Sequence, residues 1–105
     1  MTGEYFAAFG LTIVIEVAIV VAIAPALLRR RAAVDALLAN VFTHPLAWLC
    51  ILELRTPWLE TEVAVTLVEA FVYVAITRMP PRRGMLAALI ANLVTMQIAV
   101  FFQFA

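Results

Sequence analysis

The stretch Tyr5–Leu28, YFAAFGLTIVIEVAIVVAIAPALL, decides the fold, together with the Arg29-Arg30-Arg31 that follows it. Within it only Thr12, Glu16 and Pro25 stand out against the apolar run. About 20 mostly apolar residues in a helix cover the hydrocarbon thickness of a bilayer. Glu4 precedes the run and the basic cluster comes after it, the reverse of a secretory signal, so it reads as a membrane span. Pro25 reads as a kink near the end of that span.

Three further runs have the same character, at 32–54, 57–79 and 85–105. Thr56 is placed to cap the third helix, and Pro57 suits its first turn. Pro80-Pro81 cannot continue that helix and should end it. The expectation is an all-α, polytopic membrane protein, a single domain over 1–105. Its spans of roughly 5–28, 32–54, 57–79 and 85–105 form a four-transmembrane-helix up-down bundle with short loops. An alternative with three spans and an interfacial second helix fits less well, because that segment has no basic stripe.

Composition agrees. Of the 105 residues 67% are hydrophobic and 13% charged, with mean hydropathy +1.10. Soluble domains are about half apolar and about a quarter charged, and a soluble chain this short cannot bury so much apolar surface. Lipid is the expected partner of that surface. Cys50 stands alone, which excludes an internal disulfide and a CxxC site. No phosphate loop, nucleophile elbow or HExxH occurs, and no stretch reads as low complexity, a repeat or a second domain.

All seven basic residues are arginines, and six lie in two groups, Arg29-Arg30-Arg31 and Arg78, Arg82, Arg83. Between apolar runs such groups flank a membrane, so no nucleic acid is expected. Both groups fall on one side of an up-down bundle, and the positive-inside rule makes that side cytoplasmic. The protein is then expected in the cytoplasmic (inner) membrane with both termini outside. Glu4, Glu53, Glu60 and Glu62 lie on the outer side with only Arg55, and Tyr5 and Trp58 are its aromatic anchors. The outer glutamates are expected to be solvated.

Ionisable side chains within a span are costly and mark function by default. Glu16, His44 and Glu69 are the candidates here. At about 1.5 Å per residue from the cytoplasmic ends, they lie roughly 18, 17 and 14 Å deep. Asn92, Thr95 and Asn40 fall at about 12, 16 and 11 Å. Asn40 and His44 share a face of span 2, with Thr43 beside them. Glu62, Thr66, Glu69, Tyr73 and Thr77 form a stripe on span 3, and Asn92, Thr95, Ala99 and Gln103 one on span 4. Pro45 frees the carbonyl of Val41 one turn from His44, and irregular backbone at depth often lines a cavity.

These residues suggest a small proton- or cation-coupled transporter or channel. Glu16, His44 and Glu69 form its ion- or proton-binding cluster, and Asn40, Thr43, Asn92, Thr95 and Tyr73 support it. Imidazole and carboxylate would also suit a divalent metal ion; no organic cofactor is expected. Four short helices enclose little volume, so a homo-oligomer is expected. The second reading is a non-catalytic accessory or assembly subunit of a larger membrane complex, its polar groups serving as interhelical glue. An intramembrane metalloenzyme ranks third, for want of a nucleophile.

In length, span number and the mid-span acid of GLTIVIEVAIV, the chain resembles in outline the small multidrug resistance transporters. In that family a first-span glutamate exchanges protons for lipophilic cations. The resemblance carries over to Glu16 alone. The third span, VAVTLVEAFVYVAIT, lacks that family's Gly- and Trp-bearing segment, and NVFTHP in span 2 has no counterpart there.

Overall fold

A computed structural model describes the backbone of residues 3–104 and the side chains other than those at 4, 5 and 98–104. The expected places of Glu4, Tyr5, Ala99 and Gln103 therefore lie outside the described residues. Among the described residues the chain is all-helical, with four helices and no strand.

Helix α1 (Gly3–Ile23) stops short of Pro25, whose extended conformation (φ −57°, ψ 148°) precedes a 3-10 turn, Ala26–Leu28. Pro25 thus terminates the helix instead of kinking it, because its ring excludes the helical conformation at the residue before it. Helix α2 (Arg29–Leu52) runs through Pro45 unbroken. Val41 and Pro45 face outward, so the rung opened by the ring lies on the outer surface and not in the polar centre.

Helix α3 (Trp58–Phe71) widens into a π turn, Val72–Ile76. Thr56 does not cap it: Pro57 holds the N-cap position without a side-chain bond, and the Thr61 hydroxyl donates back to the Pro57 carbonyl at 3.0 Å. At the other end the Thr77 N–H reaches Val72 O and the Met79 N–H reaches Tyr73 O, both at 2.9 Å. Arg78 turns the chain between them in the left-handed region, φ 67°. Helix α4 (Pro81–Phe104) begins before the expected position 85. Pro81 initiates it, since a first-turn residue needs no N–H.

Helix α1 packs against α2 and α4, and α3 packs against the same two helices. Among the described residues neither α1 with α3 nor α2 with α4 makes a packed pair, so these pairs stand on the diagonals of a four-cornered bundle. Small side chains permit the approach: Ala32 and Ala36 on α2 and Ala87, Ala88 and Ala91 on α4 are buried with Val20, Tyr73 and Met79.

This arrangement reveals an internal repeat, contrary to the sequence expectation. Placing RRAAVDALLANVFTH (30–44) over RRGMLAALIANLVTM (82–96) matches Arg30, Arg31, Ala36, Leu37, Ala39, Asn40 and Thr43 with identical residues. On the other two helices Thr12, Glu16, Val20 and Ala24 correspond to Val65, Glu69, Tyr73 and Thr77, and all eight are buried. The chain is two equivalent hairpins, α1–α2 and α3–α4, facing each other across the bundle.

The helices within Phe6–Ile23 and Ala26–Leu52 are long and apolar enough to cross a membrane. Helix α3 is α-helical over only 14 residues before its π turn.

Candidate functional site

Glu16 and Glu69 occupy equivalent positions on the diagonal helices, and both are wholly buried, at 0% and 1% exposure. Helices α2 and α4 stand between them; α4 supplies donors to both carboxylates and α2 to Glu69. From α4, the Thr95 hydroxyl donates to Glu16 Oε1 at 2.9 Å. Its counterpart on α2, Thr43, donates to Glu69 Oε2 at 3.3 Å. The repeat therefore places a threonine of each hairpin on the carboxylate of the other.

The two asparagines are also equivalent at their amide nitrogens. Asn40 Nδ2 donates to Ala36 O, and Asn92 Nδ2 to Ala88 O, each at 2.7 Å. Beyond that the halves diverge. Asn92 Nδ2 also donates to Glu69 Oε1 at 2.6 Å, giving both oxygens of that carboxylate a donor. In the other half His44 intervenes: its Nε2 lies 2.9 Å from Asn40 Oδ1 and 3.5 Å from Glu16 Oε2. The Asn40 amide is oriented by its bond to Ala36 O, so both neighbours of Nε2 are acceptors, and this nitrogen carries a proton. That single N–H is spent mainly on Asn40, and Glu16 Oε2 is left buried without a hydrogen-bond partner. Asn92 Oδ1 is the other such atom.

The structure thus joins His44 to Glu16 and assigns Glu69 to Asn92 and Thr43. Asn40, Thr43, Asn92 and Thr95 are buried and hydrogen-bonded around these groups, and Tyr73 is buried one turn beyond Glu69. Among the described residues neither carboxylate pairs with an arginine. No three His, Cys, Asp or Glu side chains among them come together as metal ligands. Two carboxyls bonded only by neutral donors, with one imidazole that donates to a neutral amide oxygen, can exchange protons without displacing a fixed cation.

Two polar features escaped the sequence reading. Thr77 donates to Asp35 Oδ2 at 2.6 Å, with Arg31 Nε 3.8 Å from the same oxygen; this ties the end of α3 to the start of α2. Glu62 is not a freely solvated outer residue. It is half-buried and lines a cavity of about 220 Å³ between α3 and α4. The repeated AN-x-x-T of both even-numbered helices was the signal that could have found the cross-hairpin bonds.

No family model, curated protein or solved structure matches the chain.

Proposed function

We propose that the chain is a four-span protein of the cytoplasmic membrane, termini outside, that moves protons or proton-coupled cations through the buried Glu16 and its half-buried partner His44, with Glu69 as the second carboxyl. Its inside-out character supports the membrane placement. Thr12, Glu16, Asn40, Thr43, Thr61, Glu69, Thr77, Asn92 and Thr95 are buried, while Val14, Leu38, Phe42, Leu46, Leu67, Phe71 and Leu93 are exposed. In water this pattern would be reversed. Helix α3 with its π turn spans 58–76, about 28 Å at helical rise, and α4 has 24 residues. Arg29–Arg31 and Arg82-Arg83 open α2 and α4, at the same end of the bundle, which supports a cytoplasmic placement of that end. Two hairpins in the same orientation also agree with the parallel repeats of some transporters.

The observation that carries the proton reading is Glu16 Oε2, buried, without a donor, and 3.5 Å from His44 Nε2. A carboxyl in hydrocarbon is stabilised by holding a proton or by an imidazolium beside it; here Nε2 keeps its proton, and the imidazolium forms when Nδ1, the ring nitrogen that still has a lone pair, takes up a proton as Glu16 gives one up. A homo-oligomer would supply the walls of a pathway that one four-helix unit is too small to enclose. The test is proton flux in proteoliposomes carrying an internal pH dye under an imposed potential. Flux should be present in the parent and lost in Glu16→Gln and His44→Ala; flux unchanged in both would end the proposal.

The accessory-subunit reading draws on one observation, the complete satisfaction of Glu69 by Thr43 and Asn92. Such bonds can serve as interhelical glue. Extraction in mild detergent separates the two readings: a stable larger partner supports the accessory role, and a self-contained oligomer the transporter.

A further inference from the structure

The two seams between the hairpins differ in one respect. Along α2 and α3, polar groups meet from one end of the bundle to its middle. At the end that carries the arginines, the Thr77 hydroxyl donates to Asp35 Oδ2 at 2.6 Å. One step deeper the Tyr73 hydroxyl lies beside the side chain of Asn40, and deeper still Thr43 donates to Glu69 Oε2 at 3.3 Å. Between α4 and α1 the corresponding pairs are Ala87 with Ala24, Asn92 with Val20, and Thr95 with Glu16. Among the described residues the last pair alone is joined by a side-chain hydrogen bond, at 2.9 Å, and Val20, Ala24 and Ala87 belong to the buried apolar core. Glu16 is therefore closed off from the arginine-bearing end, while Glu69 is joined to it by hydroxyls. Asp35 is the only acidic residue of the sequence at that end. Its side chain is 16% exposed, with Arg31 Nε 3.8 Å away, and Thr77 and Tyr73 behind it are buried.

We infer that the α2–α3 seam is a proton route between the arginine-bearing end and Glu69, with Asp35 as its entry group. This rests on the proton-exchanging reading above and adds the side from which each carboxyl is loaded. Asp35 takes a proton from water and becomes a neutral acid. The hydroxyls of Thr77, Tyr73 and Thr43 each accept one proton and release another, so Glu69 is neutralised as Asp35 regains its charge. Positions 77, 73 and 69 follow one another at one helical turn, about 6 Å, a gap that a bridging water closes. Arg31, on the same helix, is the charged group beside Asp35, and α3 presents the neutral Thr77 to it. That ion pair is exposed on its Arg31 side, at 56%, and such pairs are weak enough to release the carboxylate. The route does not pass through Asn40 to Glu16. Asn40 Nδ2 is committed to Ala36 O and Oδ1 to His44, and neither amide atom can both donate and accept as a hydroxyl does. Glu16 exchanges instead through His44, whose side chain is 21% exposed.

The test follows both carboxyls at once, by time-resolved infrared spectroscopy of the full chain in lipid nanodiscs after a pH jump. Glu16→Gln and Glu69→Gln assign the two C=O bands. Asp35→Asn, which keeps an oxygen for Thr77 to bond, should slow the Glu69 band by about a hundredfold, the lower end of what a positioned proton-transfer group contributes. The Glu16 band should keep its parent rate in that variant. Tyr73→Phe, which removes one hydroxyl, should slow the Glu69 band as well, and Asp35→Glu should keep the parent rate. Should Asp35→Asn not fold, Thr77→Val breaks the same link and should slow the Glu69 band alone. A Glu69 band as fast in Asp35→Asn and Tyr73→Phe as in the parent would overturn the route and leave the exchange at Glu16 and His44 standing. Equal slowing of both bands would also overturn it, since that marks a loosened bundle. A parent in which neither band responds would refute the route and the proton-exchanging reading together.

Discussion

Gly84 offers the most quantitative test of how the two hairpins pack. It lies in the first turns of α4 and is buried. A Cβ at this position would stand 2.5 Å from Val74 Cγ2 and 3.3 Å from Val74 N. Valine in a helical backbone is confined to one main rotamer, so its methyl cannot swing away, and the π turn that carries it would have to move. Overpacking of this kind costs about 1–3 kcal/mol. Replacing glycine by alanine in a helix returns up to about 1 kcal/mol. Gly84→Ala should therefore destabilise the fold by about 1 kcal/mol, and by no more than about 2 if the full propensity gain is realised, the opposite of the usual effect of this substitution in a helix. Val74→Ala removes the clashing methyl, so the double variant should recover most of the loss measured from Val74→Ala alone. The assay is reversible unfolding in mixed micelles, followed by the fluorescence of Trp48 and Trp58. A Gly84→Ala protein as stable as the parent, or more stable, would refute the close approach of α4 to the π turn.

Other substitutions probe the polar centre and the turns. Thr95→Val removes the donor to Glu16 at 2.9 Å and Thr43→Val the donor to Glu69 at 3.3 Å; each should cost about 1–3 kcal/mol, the first more than the second, in the same unfolding assay. Asn92→Leu leaves Glu69 Oε1 without its donor at 2.6 Å and should cost about 2 kcal/mol or more, whereas the exposed Leu93→Ala should change stability far less. Arg78→Gly relieves a left-handed backbone at φ 67°, an unfavourable conformation for a side-chain-bearing residue by about 1–2 kcal/mol. Part of that gain is lost to the freer unfolded chain, so the melting temperature should rise modestly.

Much of this architecture is legible in the residues themselves. The apolar runs and the prolines locate four helices, because hydrophobic length and a missing N–H act locally. The placement of Glu16, Asn40, Glu69 and Asn92 at similar depth also follows from counting residues along each run. What counting along separate helices could not provide is which helix stands beside which. Glu16, His44 and Glu69 were expected as one cluster, yet the diagonal placement of α1 and α3 gives Glu69 to Asn92 and Thr43 while His44 turns to Glu16. The helix ends differ from expectation for a related reason: Pro25 and Pro81 are compatible with several turn geometries, and packing selects among them. The repeat is faint in the residues because the odd-numbered helices share little beyond their buried positions. Glu62 reads as one more solvated outer glutamate because its difference from the other hairpin, where Phe9 sits, is visible only once the halves are matched.

The most direct test of the proposed proton exchange at Glu16 and His44 is infrared difference spectroscopy of the protein reconstituted in lipid, across a pH jump. A protonated buried carboxyl gives a C=O stretching band that shifts in heavy water and responds to the jump. The account predicts carboxyl absorption in the parent from which one component is lost in Glu16→Gln and altered in His44→Ala, and a second is lost in Glu69→Gln. A spectrum in which no carboxyl band responds, or one left unchanged by Glu16→Gln, would contradict it.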